Sequence, residues 1–339
     1  MKPLVLTRDP SLLDDLARLA AGAGVQLEVC GDAIDALASW PIAPLVVIGD
    51  DVLVDVAAVA PPPRTGVVVV SQAPAAEVFR LALDVGAGSV VELPAGETHL
   101  GALLADVEEA PGRGLVLGVV GGAGGAGAST LACALGQVAG HAGPALVIDT
   151  DRVGPGLDRL LGLDETAGVR WDDLASSAGR LGSRSLREAV PRRDGVGVLT
   201  WAAGAATMPP LSTLRDVLAA GQRGHSLVVL DLARQAGELS AELMARCDLV
   251  LAVMPATVTG IASTLRLITP MADTSRVRLA TRRGAVRARD LTAATGVAMA
   301  FEVPEQRGLA EAVDLGLGPV RHRRSPLGRA VAEFLAEVA

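Results

Sequence analysis

The sequence predicts an α/β protein of two consecutive units, each built on a parallel sheet, and three observations carry that reading. Short apolar runs alternate with helical patterns from the N-terminus onward, as strand–helix–strand units do. The stretch Pro111-Gly112-Arg113-Gly114 follows an acidic helical pattern and breaks the chain into 1–110 and 115–339, as clustered Pro and Gly do. Beyond it, the apolar run Leu115 to Val120 enters a glycine-rich turn, and Ser129-Thr130 open a helical pattern from Leu131 to Val138.

In the first unit, strands are expected at Pro3–Leu6, Gln26–Cys30, Pro44–Ile48, Gly66–Val70 and Ser89–Glu92, with helices at Ser11–Ala21, Ala75–Val85 and His99–Glu109. Five strands with helices between them imply a doubly wound parallel sheet. In size and order the unit resembles a response-regulator receiver, a flavodoxin-like fold. That resemblance implies a phospho-acceptor region at Asp50 or Asp51 and a hydroxyl at Ser71. A working receiver also places a lysine before a proline after its fifth strand; here Leu93 precedes Pro94. Asp9 alone stands where an acidic pair would follow the first strand. The unit reads as a pseudo-receiver serving as an interaction module. A plain flavodoxin-like domain with loop carboxylates fits the same residues.

The second unit opens on LVLGVVGGAGGAGAST, residues 115–130. The spacing fits the phosphate-binding loop G-x-x-x-x-G-K-[ST], with Gly122, Gly127 and Ser129 in place. Ala128 occupies the lysine position, and Lys2 is the only lysine in the chain. Glycines let backbone N–H groups converge on an anion, and the following helix N-terminus adds positive potential. Candidate nucleotide contacts are therefore Gly122, Gly124, Gly125, Ala126, Gly127, Ala128, Ser129 and Thr130. The Ser129 hydroxyl is available to Mg²⁺. The ammonium that stabilises charge on the terminal phosphates is missing. A Gly/Ala-rich helix entry in a glycine-rich chain is the bland alternative. Three later landmarks favour the loop: Leu146 to Asp151 (LVIDTD), Leu227 to Asp231 (LVVLD) and Asp248 to Pro255. The first two are apolar strands ending in carboxylates, which a metal-dependent phosphate site uses.

These residues resemble the deviant Walker A and switch segments of the MinD/ParA family. Ala123 holds the position of that family's signature lysine and Ala128 that of the ordinary one. Asp149-Thr150-Asp151 resembles switch I. Asp231 resembles the switch II aspartate, although the D-x-P-x-G continuation is replaced by Asp231-Leu232-Ala233-Arg234-Gln235. Loss of the lysines together with an N-terminal extension is similar to the CpaE/TadZ branch. The phrases DTDRVGPGLDRLL from Asp149 and GLAEA from Gly308 are most similar to the Ssd group of actinobacterial CpaE-like septum site-determining proteins. The resemblance implies a MinD/ParA-type P-loop NTPase domain with a mainly parallel sheet. It implies ATP or ADP with Mg²⁺ as cofactors, held weakly or not at all, with Ser129, Asp149 and Asp231 at the metal and Asp151 catalytic. It places Arg282, with Arg283, after the strand whose end contacts adenine, and Arg152 near the phosphates.

Further along, short helices are expected within Trp171–Arg193, strands at Val196–Trp201 and Val277–Thr281, and helices at Leu211–Gly221, Ile261–Met271 and Pro326–Val338. The last carries one basic residue, Arg329, with Glu333 and Glu337, so it reads as packing on its own core rather than as a membrane-surface helix. Apart from Arg282 and Arg283, the arginines between 276 and 289, with Arg321, Arg323 and Arg324, read as solvated strand ends and helix faces, the alternative being a patch for nucleic acid, acidic lipid or an acidic partner. Half of the residues are apolar and 2% are aromatic, which points to a large aliphatic core. Three scattered cysteines argue against a disulfide framework. No apolar run is long enough to span a bilayer. A net charge of −8 disfavours nonspecific DNA binding.

The expected function is that of a cytoplasmic positioning and regulatory protein. Its partners would be proteins of the division septum or the Tad-pilus secretion machinery. A homodimer and recruitment to septum, pole or membrane periphery are expected. The alternative is a surface-cycling ATPase in which an arginine replaces the Walker lysine.

Overall fold

A computed structural model of the chain describes residues 2–108, 114–175, 181–202, 204, 209–234, 238–271 and 273–338. The chain divides into two compact units, Met1–Pro111 and Gly112–Ala339.

In the first unit the elements run β1 (Leu4–Leu6), α1 (Pro10–Ala23), β2 (Glu28–Cys30), β3 (Val46–Gly49), α2 (Leu53–Val59), β4 (Val67–Ser71), α3 (Ala76–Asp84), β5 (Ser89–Glu92) and α4 (Glu97–Glu108). The described strands form one parallel sheet in the order β2-β1-β3-β4-β5. In such a doubly wound sheet the carboxyl ends of the central strands carry the site. The strands β3 and β4, apolar but for Ser71, are buried on both faces, as a sheet covered by helices on both sides requires. Asp9 starts α1 by accepting from the Ser11 and Leu12 amides, and Gly24 ends it in the left-handed region. Helix α2 forms between the third and fourth strands, where no helix is expected from the sequence. Val52, Val54, Val56 and Val59 bias that segment towards strand. Burial of Leu53 and Val56 on one face decides the matter, because tertiary packing overrides propensity.

The second unit continues with β6 (Leu115–Gly121), α5 (Ala128–Gly140), β7 (Ala145–Asp149), α6 (Leu157–Leu161), α7 (Trp171–Ala175), α8 (Ser183–Ala189), β8 (Arg192–Arg193), β9 (Val196–Leu199), α9 (Leu211–Gly224) and β10 (Leu227–Leu232). It ends with α10 (Glu238–Ala245), β11 (Leu249–Pro255), α11 (Val258–Ile268), β12 (Val277–Arg282), α12 (Ala288–Thr295), β13 (Met299–Val303), α13 (Leu309–Asp314) and α14 (Pro326–Val338). The described strands form one sheet, β13-β12-β11-β6-β10-β7-β9-β8, parallel except for the short β8–β9 pair. Elements α10, α12, β13 and α13 form where no element is expected from the sequence. Leu327, Val331 and Phe334 of α14 are buried against the core that holds α5. No described helix is long and apolar enough to cross a membrane.

Of the stretch read as a linker, residues 111–113 lie outside the described residues. Gly114 is built into the second unit: its amide donates to Gln222 O at 2.8 Å, and a Cβ there would lie 2.0 Å from His225 O.

Candidate functional site

The carboxyl ends of β6, β7 and β10 meet beside the glycine-rich loop 121–127. Register makes this inevitable: Asp231 pairs with Asp149 across β10–β7 and with Val119 across β10–β6. The loop turns through two left-handed glycines, Gly125 at φ 69° and Gly127 at φ 95°, positions that side chains with a Cβ avoid. Gly127 then caps α5, whose first turn presents Ala128, Ser129 and Thr130.

A cleft of about 1050 Å³ opens over this loop. Gly124, Gly125, Ala126, Gly127, Ala128, Ser129 and Thr130 all line it, with Asp151 and Asp231. Gly122 does not. Its amide donates to Val253 O at 2.8 Å, and a Cβ on it would stand 2.2 Å from Thr264 Oγ1. That glycine is required by close packing against α11 rather than by a ligand. Arg282, at the end of β12, passes beside the loop, its Cδ 4.0 Å from where a Gly127 Cβ would be.

Asp149 is buried at 1% exposure and is held from three sides. Thr200 Oγ1 donates to its Oδ2 at 2.7 Å, the Asp151 amide donates to its Oδ1 at 3.0 Å, and Trp171 Nε1 donates to its backbone oxygen at 2.8 Å. Burial pushes its carboxyl up to about 6, against the pull of the Thr200 hydroxyl. Asp231 is pushed further, to about 7, by burial and by the nearby Asp149 and Asp151 carboxylates, with the Ser129 hydroxyl pulling the other way. Ser129 and Asp231 line the same cleft. Thr150 stitches the two strand ends together, its hydroxyl donating to Asp231 O at 2.8 Å. Burial and the same two aspartates raise the Cys133 thiol behind the loop.

The arginines lining the cleft are Arg159 and Arg234. No sequence motif marks Arg159, Arg234 stands in sequence only as a departure from the switch II pattern, and Arg152 is outside the lining. Arg159 follows Asp158, whose carboxylate is tied to Arg170 at 3.1 Å in a largely buried pair. Arg234 Nη2 donates to Ser263 Oγ at 2.7 Å. Its one sequence signal is its place three residues after Asp231. Thr200 and Trp171, which fix Asp149, carry no motif at all. The arrangement can accept an anion on backbone amides and a hard cation between Ser129 and the two buried carboxylates, and these donors fit Mg²⁺ with a nucleotide.

In the first unit, Asp50 and Asp51 follow β3 as the receiver resemblance implies. Asp51 accepts from Thr7 Oγ1 at 2.8 Å and from the Arg8 amide at 2.6 Å. Asp50 accepts from the Ser71 hydroxyl. Arg8 spans the mouth, pairing with Asp55 at 2.9 Å and donating to Gly31 O. Leu93, in the lysine position, is 2% exposed and packs in the core with Leu12 and Leu100.

Comparison with known proteins agrees with both halves. A family model described as Rv3660c-like, CheY-like N-terminal domain matches residues 6–114. Over the second unit the chain is similar to a ParA family ATPase from Chlorobium tepidum (TM-score 0.57, 14% identity, 67% of this chain and 99% of that one). It is also similar to MinD from Pyrococcus horikoshii, solved with Mg-ADP (TM-score 0.52, 16% identity, 66% and 95%). The MinC:MinD complex of Aquifex aeolicus gives a TM-score of 0.53 at 18% identity, over 66% and 95%. The fold is therefore a CheY-like domain followed by a MinD/ParA-like domain. Uncharacterized protein Rv3660c of Mycobacterium tuberculosis is 33% identical over 337 residues, 96% of this chain and 95% of that one. With that identity along almost the whole of both chains, the protein belongs to the family of Rv3660c.

Proposed function

We propose that this protein is a positioning and regulatory factor of the CpaE-like branch, of the septum site-determining type, whose P-loop holds nucleotide weakly or not at all and turns it over near background. The observation that carries this is a cleft whose loop and carboxylates are assembled without a lysine. Loop amides, Ser129, Asp149 and Asp231 are assembled, while Ala123 and Ala128 stand where the family places lysines. Binding an anionic triphosphate beside buried carboxylates without a local ammonium loses the charge-assisted hydrogen bonds that dominate such sites. The fold resemblance to MinD and ParA supports partners at the septum or in a Tad-pilus apparatus. In the family's nucleotide-sandwiched dimer the signature lysine reaches the partner's phosphates, so Ala123 supports a dimer that forms without ATP.

Titration of the full chain with a fluorescent ATP analogue, with and without Mg²⁺, tests the reading together with a phosphate-release assay. Micromolar affinity with turnover abolished by Asp151→Ala would overturn it. Arg159 and Arg234 in the cleft favour the second reading, a cycling ATPase with arginine in place of lysine. Under that reading Arg234→Ala abolishes a turnover that the wild type displays.

A further inference from the structure

Beside the phosphate-loop cleft lies a second cavity of about 930 Å³, between α10 and α11 over the starts of β11 and β12. Its walls are Val250 and Val277, which are buried, and Met244, Leu267 and Met271, which are half-buried against the core. Unbranched methionines on such a wall adapt to a flexible apolar body, and the volume is that of a ligand pocket rather than a packing defect.

Charge around this cavity is unbalanced. Arg234, Arg266 and Arg276 face two carboxylates, Asp151 and Asp273. Asp151 accepts from the Val153 amide and Asp273 from the Ser275 amide, and Asp273 lies near enough to Arg276 to feel its charge, which leaves one positive charge in excess. The guanidinium groups are not saturated: each has five donors, Arg234 bonds Ser263 and Arg276 bonds Cys247 O at 3.4 Å. Arg266 has no hydrogen-bond or ion-pair partner among the described residues. Asp151 and Arg234 line both this cavity and the loop cleft, so the two spaces share a wall.

We infer that this cavity is a binding site for a small amphipathic anion, with an aliphatic body against Met244, Leu267 and Met271 and an acidic head on Arg266 and its neighbouring arginines. The site stands whether or not the loop holds nucleotide, because none of its apolar wall belongs to the loop. An occupant's head group would meet Arg234 and so alter the charge presented to the loop cleft.

Calorimetric titration of the full chain with dodecanoate below its micellar concentration tests this, with dodecanol and dodecylammonium as parallel arms. Saturable one-to-one binding of dodecanoate is expected, at least tenfold tighter than dodecanol or dodecylammonium. Arg266→Glu, at an exposed position, should weaken it by about tenfold or more. Leu267→Trp, which fills the cavity, should abolish it while leaving the circular dichroism spectrum unchanged. If Leu267→Trp does not fold, Arg266→Glu alone decides. Equal binding of the cationic amphiphile, retention of full affinity by Arg266→Glu, or no heat with dodecanoate would each overturn the assignment.

Discussion

Leu93 and Ala128 both stand where a related fold would carry lysine, one after β5 and the other at the start of α5, and their surroundings have diverged. Around Leu93 the loss has been absorbed. The side chain is packed in the core, Asp51 is satisfied by Thr7 and the Arg8 amide, and Arg8 supplies the local positive charge. Around Ala128 it has not. The cleft stays open, and Asp149 and Asp231 remain buried with their carboxyls raised. A buried carboxylate without a counter-charge costs stability, so the second site keeps an expense that the first has shed. The first site is finished as structure. The second keeps an open cleft with the raised Asp231 carboxyl on its wall.

Restoring lysine at both positions gives the sharpest contrast. Ala128→Lys should raise affinity for Mg-ATP by about tenfold or more, one charge-assisted contact being worth roughly 1.5–3 kcal/mol, and should leave the melting temperature near wild type. Equilibrium binding and calorimetry read both. Leu93→Lys should instead destabilise the first unit by about 2–5 kcal/mol, since it buries an ammonium in place of a core leucine, and denaturant unfolding measures that. Acetyl phosphate should leave Asp50 and Asp51 unmodified in the wild type. A phosphoaspartate found by mass spectrometry would erase the contrast between the two sites.

The buried carboxylates make a pH prediction. Asp231 titrates near 7 when folded and near 3.8 as a free side chain, so between those values the folded state binds the extra proton. Its contribution is present at pH 4 and lost as pH rises through 7. Asp231→Asn should therefore stabilise the protein by roughly 1–3 kcal/mol at pH 8 and by little at pH 4. Unfolding curves at the two pH values test the sign. Mg²⁺ should narrow the gap if it binds between Ser129 and the carboxylates.

The smallest effect separates two loop glycines. Gly122→Ala forces a Cβ within 2.2 Å of Thr264 Oγ1 and should cost about 1–3 kcal/mol, partly recovered in the double variant with Thr264→Ala. Gly124→Ala meets nothing within 4 Å and should stay within about 0.5 kcal/mol of wild type. Equal losses would mean that loop conformation, not contact with α11, sets the requirement.

The sequence by itself determined the two-unit α/β plan, because apolar runs alternating with helical patterns can bury their faces only around parallel sheets. It also determined the loop and the carboxylates at the ends of β7 and β10, because those depend on spacing along one strand–loop–helix segment. That the chain carries a single lysine, Lys2, is legible by simple inspection. What only the tertiary structure decided is everything that depends on distant segments meeting. Thr200 and Trp171 hold Asp149 across 51 and 22 residues, and no local pattern marks them. Arg159 and Arg234 reach the cleft because α6 and the β10 end are placed beside it. Gly122 is matched to Thr264 of α11 rather than to a phosphate. Helix α2 forms against strand-favouring valines because burial of Leu53 and Val56 outweighs local preference. Motifs are written in neighbouring residues; burial, charge balance and close approach are set by residues far apart in the chain.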